Sequence, residues 1–144
     1  MSGIIYNDII YRKVEVSDYE SFLALLRTFR DTFFTKDQFM ATLHHVTGIY
    51  IMEYHNELIA TGSIWFETKF IHNICIQAHI EDVCVLPSFR SFGIGKRMIS
   101  KLVEIAQQKC YKVVLNCSDK HIGFYKKCSF EREGNEMIIR LQHI

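Results

Sequence analysis

Residues 80–107 read IEDVCVLPSFRSFGIGKRMISKLVEIAQ and contain the transition that decides the fold. An apolar run ends near Leu86, a turn carries Gly93 and Gly95 one residue apart, and a helical pattern follows. Backbone N–H groups at the start of a helix converge at the positive end of the helix dipole. The stretch therefore predicts a strand, a ligand-binding turn and a helix; an ordinary strand-to-helix turn is the alternative interpretation.

The turn fails two common phosphate-binding patterns. A Walker loop requires glycine at the position of Arg90 and serine or threonine at Arg97, and a dinucleotide fingerprint requires glycine at Met98. What remains is a pyrophosphate site of another type. In such a site glycines let the backbone approach the ligand, and Arg90 and Lys96 add positive charge.

Composition indicates one domain covering residues 1–144, because 49% of the residues are apolar and the chain has a single proline. A formal net charge of +1, with no block of lysine or arginine, argues against a nucleic-acid or membrane surface. The five cysteines are scattered and the adjacent His44 and His45 would point about 100° apart on a helix, so we expect no metal site. The N-terminus lacks the pattern of a secretory signal, which predicts a cytoplasmic protein.

Outward from the turn, strand and helix periods alternate along the chain. Before the glycine turn we expect a strand at IIYRKVE and then two helices. The first, SDYESFLALLRTF, is capped by Ser17 with Glu20, and the second, KDQFMATLHHV, is ended by Gly48. Three antiparallel strands should follow over residues 48–86. After the glycine turn we expect the long helix, a parallel strand at KVVLNC, a helix at HIGFYKKC and a last strand at EMIIRL. The predicted fold class is α/β: a mixed, mostly antiparallel sheet with helices on both faces.

At this point the chain resembles a known family. The turn Arg90-Ser91-Phe92-Gly93-Ile94-Gly95 is similar to the R/Q-x-x-G-x-G/A loop of the GNAT family of N-acetyltransferases. The stretches ATGSIWFETKFIH, HIEDVCV, CYKVVLNC, GFYKKC and EMIIRL resemble, in order and spacing, the glucosamine 6-phosphate N-acetyltransferases within it. The resemblance implies the GNAT acyl-CoA N-acyltransferase fold, acetyl-CoA as cosubstrate, no metal, and a homodimer with shared active sites. It also implies direct acetyl transfer to the amine of glucosamine 6-phosphate, for UDP-N-acetylglucosamine biosynthesis.

The resemblance assigns a role to each matching residue. Tyr125 would protonate the departing thiolate, since a phenol with a pKa of about 10 carries its proton at neutral pH. Asn116 stands where the family has an aspartate, and an amide cannot take a proton. We therefore expect Asn116 to position the amine. Glu81, or a water held by Glu81, would accept the proton. A bulge or splay in HIEDVCV would free backbone N–H groups for the pantetheine amides. The implied cofactor-binding residues are Asp82, Val83, Cys84, Val85, Arg90, Ser91, Phe92, Gly93, Ile94, Gly95, Lys96, Tyr125 and Lys127.

The phosphate of the acceptor requires cations and hydrogen-bond donors. Two parts of the chain match the family: residues 69–72 at the end of the strand hairpin, and Arg140 in the last predicted strand. In a dimer Arg140 would serve the neighbouring subunit. Arg30 lies nearest the place of a threonine in other members. The expected acceptor-binding residues are Arg30, Lys69, Phe70, Ile71, His72, Glu81, Asp82, Asn116 and Arg140.

Two other functions stay open from the sequence. The same fold could acetylate another small amine or a protein N-terminus, in which case activity would not require a phosphate on the acceptor. A non-catalytic coenzyme A-binding module would bind without turnover and would be indifferent to Tyr125→Phe.

Overall fold

Five strands lie side by side in chain order in a computed structural model that describes residues 3–46 and 48–144. The first four pair antiparallel, and the fifth pairs parallel to the fourth. The prediction of a mixed, mostly antiparallel sheet is therefore confirmed. The strands are β1 (Ile9–Lys13), β2 (Ile49–Tyr54), β3 (Glu57–Lys69), β4 (Cys75–Val85) and β5 (Lys112–Val114).

Helices cover both faces of this sheet, as the alternation of apolar residues predicts. On one face α3 (Ile94–Gln107) buries an apolar stripe against β3 and β4. On the other, α1 (Tyr19–Arg27) and α2 (Lys36–Leu43) form a second apolar cluster with the sheet. Neighbouring strand residues point to opposite faces, so Met52 joins the first cluster and Ile51 the second. The buried residues of α3 are Ile94, Met98, Ile99, Leu102 and Ala106.

Two predicted helix boundaries were wrong. Ser17 does not cap α1; a 3-10 turn precedes the helix, and its capping box pairs Glu15 with Asp18. Arg12 reinforces that cap, because both terminal nitrogens of its guanidinium lie 2.8 Å from the Asp18 carboxylate. This ion pair fixes the start of α1 against β1. The second helix ends at Leu43, short of Gly48.

The predicted last strand, EMIIRL, was also wrong. Residues 136–141 are irregular, and their apolar side chains are exposed, with Met137 at 92% and Leu141 at 90%. A strand requires a pairing partner as well as β-branched residues. In the described part of the chain no strand pairs with this segment.

The last helix is short but lies where the sequence placed it. A 3-10 turn follows β5 and leads directly into α4 (Ile122–Lys127). α4 therefore lies on the segment that follows the parallel strand, close to the glycine turn. Among residues 3–46 and 48–144, no helix has the length and apolar character needed to span a membrane.

Candidate functional site

A β-bulge interrupts the pairing of β3 with β4. Ser63 lies opposite Glu81 and Thr61 lies opposite Cys84, so two residues of β4, Asp82 and Val83, oppose one residue of β3. Asp82 has a φ of 51°, in the left-handed region. A bulge bends its strand and leaves one residue out of the hydrogen-bond ladder. The bulge predicted from HIEDVCV is thus present.

On its other edge β4 separates from β5. The two strands pair only from Gln77 to His79, opposite residues 112–114. Residues 80–85 of β4 continue beyond the last pair, and no strand within the described ranges covers that edge. The separation opens a cleft of about 1050 Å³, bordered by β4, the glycine turn, α4 and the residues that follow α1.

The glycine turn forms one wall of this cleft. Ser91 and Gly93 have φ angles of 73° and 74°, and Gly93 is the N-cap of α3. Such a left-handed turn at a helix start directs successive N–H groups into one concavity, which suits an anion. The Arg90 side chain supports the turn, because its Nε donates to the Val85 carbonyl at 3.2 Å.

The two glycines of the turn serve different purposes. A Cβ on Gly93 would meet no atom within 4 Å, so this position requires glycine for its φ angle and leaves the space above the turn open. A Cβ on Gly95 would lie 3.2 Å from Cζ of Phe124. Gly95 therefore allows α4 to pack against the first turn of α3, which closes the cleft at that end.

Tyr125 faces the cleft from α4. Its ring packs edge-on against Phe124 and Phe130, with centroid separations of 4.9 and 5.9 Å. Burial raises the pKa of the Tyr125 phenol above its ordinary value, and the thiols of Cys117 and Cys128 add to the effect. The hydroxyl makes no hydrogen bond to the residues that the structure describes, so it is available to a ligand in the cleft.

Carboxylates line the opposite wall. Partial desolvation raises the pKa of Glu81, the neighbouring Asp82 carboxylate adds to this, and His79 opposes it. A carboxylate with a raised pKa binds a proton more readily than an ordinary one. Asn116, just beyond β5, also lines the cleft, and its Nδ2 donates to the Glu136 carboxylate at 3.1 Å.

The end of α1 supplies the third wall. Thr28 closes the helix by donating from Oγ1 to the Leu25 carbonyl at 2.7 Å. Phe29 and Arg30 follow, and the Arg30 guanidinium carbon lies 5.3 Å from the centroid of the Phe29 ring. Arg30 thus places a cation at the cleft.

Most of the residues predicted from the sequence come together here. Those that line the cleft are Arg30, Glu81, Asp82, Val83, Cys84, Val85, Arg90, Ser91, Gly93, Ile94, Gly95, Lys96, Asn116 and Tyr125. Cys84 contributes by its backbone, since its side chain is buried on the other face and its Sγ donates to the Leu25 carbonyl.

Several predicted residues lie elsewhere. Phe92 borders a separate cavity of about 840 Å³ behind the turn, where its carbonyl accepts from the Tyr6 hydroxyl at 2.7 Å. Lys127, at the end of α4, is exposed and does not line the cleft. The end of β3, the hairpin segment that follows it and the arginine near the C-terminus also lie outside the cleft: Lys69, Phe70, Ile71, His72 and Arg140.

Sequence reasoning missed three polar residues in the loop after β5: Ser118, Lys120 and His121 line the cleft. Ser118 Oγ and His121 Nδ1 are 3.1 Å apart, and either atom can donate. Their position between Asn116 and Tyr125 was a usable signal. Glu136 was also missed; it does not line the cleft, but folding brings it into contact with Asn116, which does.

Comparisons with known proteins agree with this geometry. Residues 14–130 match the Acetyltransferase (GNAT) family. The chain is 35% identical to glucosamine 6-phosphate N-acetyltransferase 1 of Dictyostelium discoideum, with 98% of this chain and 96% of the relative covered. It is 32% identical to glucosamine 6-phosphate N-acetyltransferase of Candida albicans, with 90% and 94% covered. The solved structure of glucosamine-6-phosphate N-acetyltransferase from Arabidopsis thaliana superposes with a TM-score of 0.87 at 31% identity, with 93% of this chain and 99% of that chain covered.

The left-handed backbone of Asp82 in the bulge limits which residues can replace it. Replacing Asp82 with valine should lower the free energy of unfolding by about 1–2 kcal/mol, because a β-branched residue tolerates a left-handed φ poorly. Asp82→Asn, which removes the charge and keeps a side chain that accepts this conformation, is the matched control. Urea unfolding of the two variants measures the difference. Equal loss in both would mean that the charge, and not the backbone angle, limits this position.

Proposed function

This chain belongs to the GNAT acetyltransferase family, and we propose that it is a cytoplasmic enzyme that transfers the acetyl group of acetyl-CoA to the amine of glucosamine 6-phosphate. The products are N-acetylglucosamine 6-phosphate and coenzyme A, and the acetylated sugar would serve UDP-N-acetylglucosamine biosynthesis. The observation that carries the proposal is one cleft that combines an unpaired strand edge, a left-handed glycine turn and the Tyr125 hydroxyl. The choice of acceptor rests on the relatives named for that activity.

The residues of the cleft fit acetyl-CoA. The N–H groups of the turn around Gly93, together with Lys96, suit a pyrophosphate. The free edge of β4 around Val83 and Val85 offers backbone groups to the amides of the pantetheine arm, as an added strand would use them. When bound, acetyl-CoA supplies the activated acetyl group, so these residues need only hold and orient it.

The acceptor amine must be neutral to attack, and it must lose a proton. Glu81 would accept that proton, directly or through water, because its raised pKa makes it a better base than a carboxylate with the ordinary pKa. Asn116 would accept a hydrogen bond from the amine through Oδ1. Asn116 and Glu81 both line the cleft, so the two functions can act on one amine.

The departing thiolate requires a proton, which Tyr125 would donate. A phenol whose pKa is raised by burial keeps its proton through the neutral range and releases it only at higher pH than usual. The hydroxyl therefore carries its proton at neutral pH, where it can donate it to the thiolate. Within the described residues no histidine or carboxylate hydrogen-bonds to the thiols near Tyr125, so direct transfer is favoured over an acyl-cysteine route.

Binding of the sugar phosphate is proposed for Arg30 within the chain. Arg30 is exposed at the cleft, and a guanidinium can form two hydrogen bonds to a phosphate. Lys69 and Arg140 lie away from this cleft, so within one chain they cannot complete the phosphate site. A role for Arg140 requires a second subunit.

We therefore propose a homodimer in which the residues after Glu136 reach the partner. Its support is the exposure of Met137, Ile139 and Leu141, a run of apolar side chains that water alone surrounds in one chain. Pairing with an edge of a partner sheet would cover these residues and carry Arg140 to the partner's cleft.

The acceptor can be tested by the release of free coenzyme A thiol from acetyl-CoA. We expect turnover with glucosamine 6-phosphate and much less with glucosamine or spermidine, since the latter two lack the phosphate that Arg30 binds. Equal rates with glucosamine would contradict the assigned acceptor. Binding of acetyl-CoA without turnover of any amine would favour a non-catalytic module.

Tyr125→Phe should lower kcat by about 100-fold, the usual contribution of a general acid, while the KM for acetyl-CoA changes little. The substitution keeps the ring that packs on Phe124 and removes only the hydroxyl. Tyr111→Phe is the matched control, because Tyr111 lies outside the cleft. A full rate for Tyr125→Phe across the pH range would mean that water protonates the thiolate.

Light scattering should give twice the mass of one chain. The shared site is tested with a mixed dimer that combines a Tyr125→Phe chain and an Arg140→Ala chain. If Arg140 serves the partner's cleft, one of the two sites keeps both residues, and activity recovers to about half of the wild-type value. A monomer in solution, or a mixed dimer as inactive as its parents, would contradict the shared site.

A further inference from the structure

Two acidic side chains of the irregular C-terminal segment contact residues in or just after β5. Glu136 accepts a hydrogen bond from Nδ2 of Asn116 at 3.1 Å, across 20 residues of sequence. Three residues earlier, Glu133 lies 3.8 Å from Nζ of Lys112 in β5. Of these two acidic residues, only Glu136 contacts a residue that lines the cleft.

A carboxylate partner determines which way the Asn116 amide points. An ionised carboxylate only accepts hydrogen bonds, whereas an amide has a donor end, Nδ2, and an acceptor end, Oδ1. With Nδ2 directed at Glu136, the donor end is occupied and Oδ1 is left for another partner. The reversed amide would place Oδ1 against the negative oxygens of Glu136, with no hydrogen bond between them.

On the basis of the proposed function, we propose that Glu136 is a positioning residue. Glu136 holds Asn116 with Oδ1 directed at the acceptor amine. A neutral amine that attacks a thioester has N–H groups to donate, and Oδ1 is an acceptor that orients them. If the amide were free to rotate, Nδ2 would face the amine in part of the molecules. Two donors would then oppose each other, and the productive orientation would be lost.

Glu136 has a second, electrostatic effect on the same cleft. Its charge adds to the desolvation and to the Asp82 carboxylate that together raise the pKa of Glu81, while His79 acts in the opposite direction. The basic residues that line the same cleft are Arg30, Arg90, Lys96, Lys120 and His121. Removing the charge at 136 should therefore lower the pKa of Glu81 and make it a weaker base.

The kinetic test compares Glu136→Ala, Glu136→Gln and the control Glu133→Ala. Glu136→Ala should lower kcat/KM for the acceptor amine about tenfold, the size of one hydrogen bond to a charged group, with the Kd of acetyl-CoA unchanged. Glu136→Gln keeps an oxygen that can accept from Nδ2, so it should recover most of that loss. Glu133→Ala, which removes the other acidic contact of the segment, should behave as wild type.

The pH profile separates orientation from simple docking of the segment. In Glu136→Gln the acidic limb of kcat/KM should move to lower pH, because Glu81 loses a negative neighbour and is protonated only at lower pH. An unmoved limb together with a wild-type rate for Glu136→Ala would overturn the proposal. Equal losses in Glu136→Ala and Glu133→Ala would also overturn it, because docking of the segment would then be sufficient.

An activity-independent measurement keeps this proposal distinct from the proposed function. The side-chain amide signal of Asn116 in a ¹⁵N NMR spectrum should shift as the pH is lowered and carboxylates are protonated, and Glu136→Gln should lose most of this shift. A signal that does not respond to pH in the wild type would overturn the contact, whatever the enzyme acetylates. A responsive signal in a protein that turns over no amine would overturn the proposed function and retain the Asn116–Glu136 contact.

Discussion

The pairing of β4 is the constraint on which the rest of this structure depends. Its first half is held on both edges, by β3 and by the three residues of β5, and its second half keeps only the β3 edge. The bulge at Asp82 and Val83 lies in that second half, where the strand bends. A continuous ladder between β4 and β5 would fill the space in which the cleft opens. The cleft thus exists because the second half of β4 makes no ladder hydrogen bonds to β5.

Packing around the glycine turn converts this opening into a defined cleft. The left-handed Gly93 ends the turn and starts α3, while Gly95 leaves room for Phe124. The ring of Phe124 in turn supports Tyr125, so the group that faces the cleft from α4 is positioned by contacts with α3. The partly dry surroundings raise the pKa of both Glu81 and Tyr125. Both shifts suit the proposed roles, a base at Glu81 and a proton donor at Tyr125.

Much of the fold and part of the site could be predicted from the sequence. The alternation of strand and helix periods located all five strands of the sheet and its four α-helices, and the stretch from Glu81 to Gly95 identified two walls of the cleft. The predictions that were wrong concern features that depend on distant partners. Ser17 has the chemistry of a cap, but the capping box that forms belongs to the 3-10 turn before α1. There Asp18 accepts from the Glu15 N–H and pairs with Arg12 of β1. The segment EMIIRL has strand-forming residues, but a strand exists only when another strand pairs with it.

The sequence by itself determined local order: the helices and strands, the glycine turn before α3, and the position of Tyr125 on the helix after β5. These follow from interactions between residues close in the chain, such as backbone hydrogen bonds, capping and apolar periodicity. Only the tertiary structure decided which polar groups share the cleft. Arg30, Glu81 and Asn116 line the cleft from three separate parts of the chain, and Glu136, from a fourth part, hydrogen-bonds to Asn116. No local pattern encodes that proximity, because the distances between these groups are set by strand pairing and by the burial of two apolar clusters.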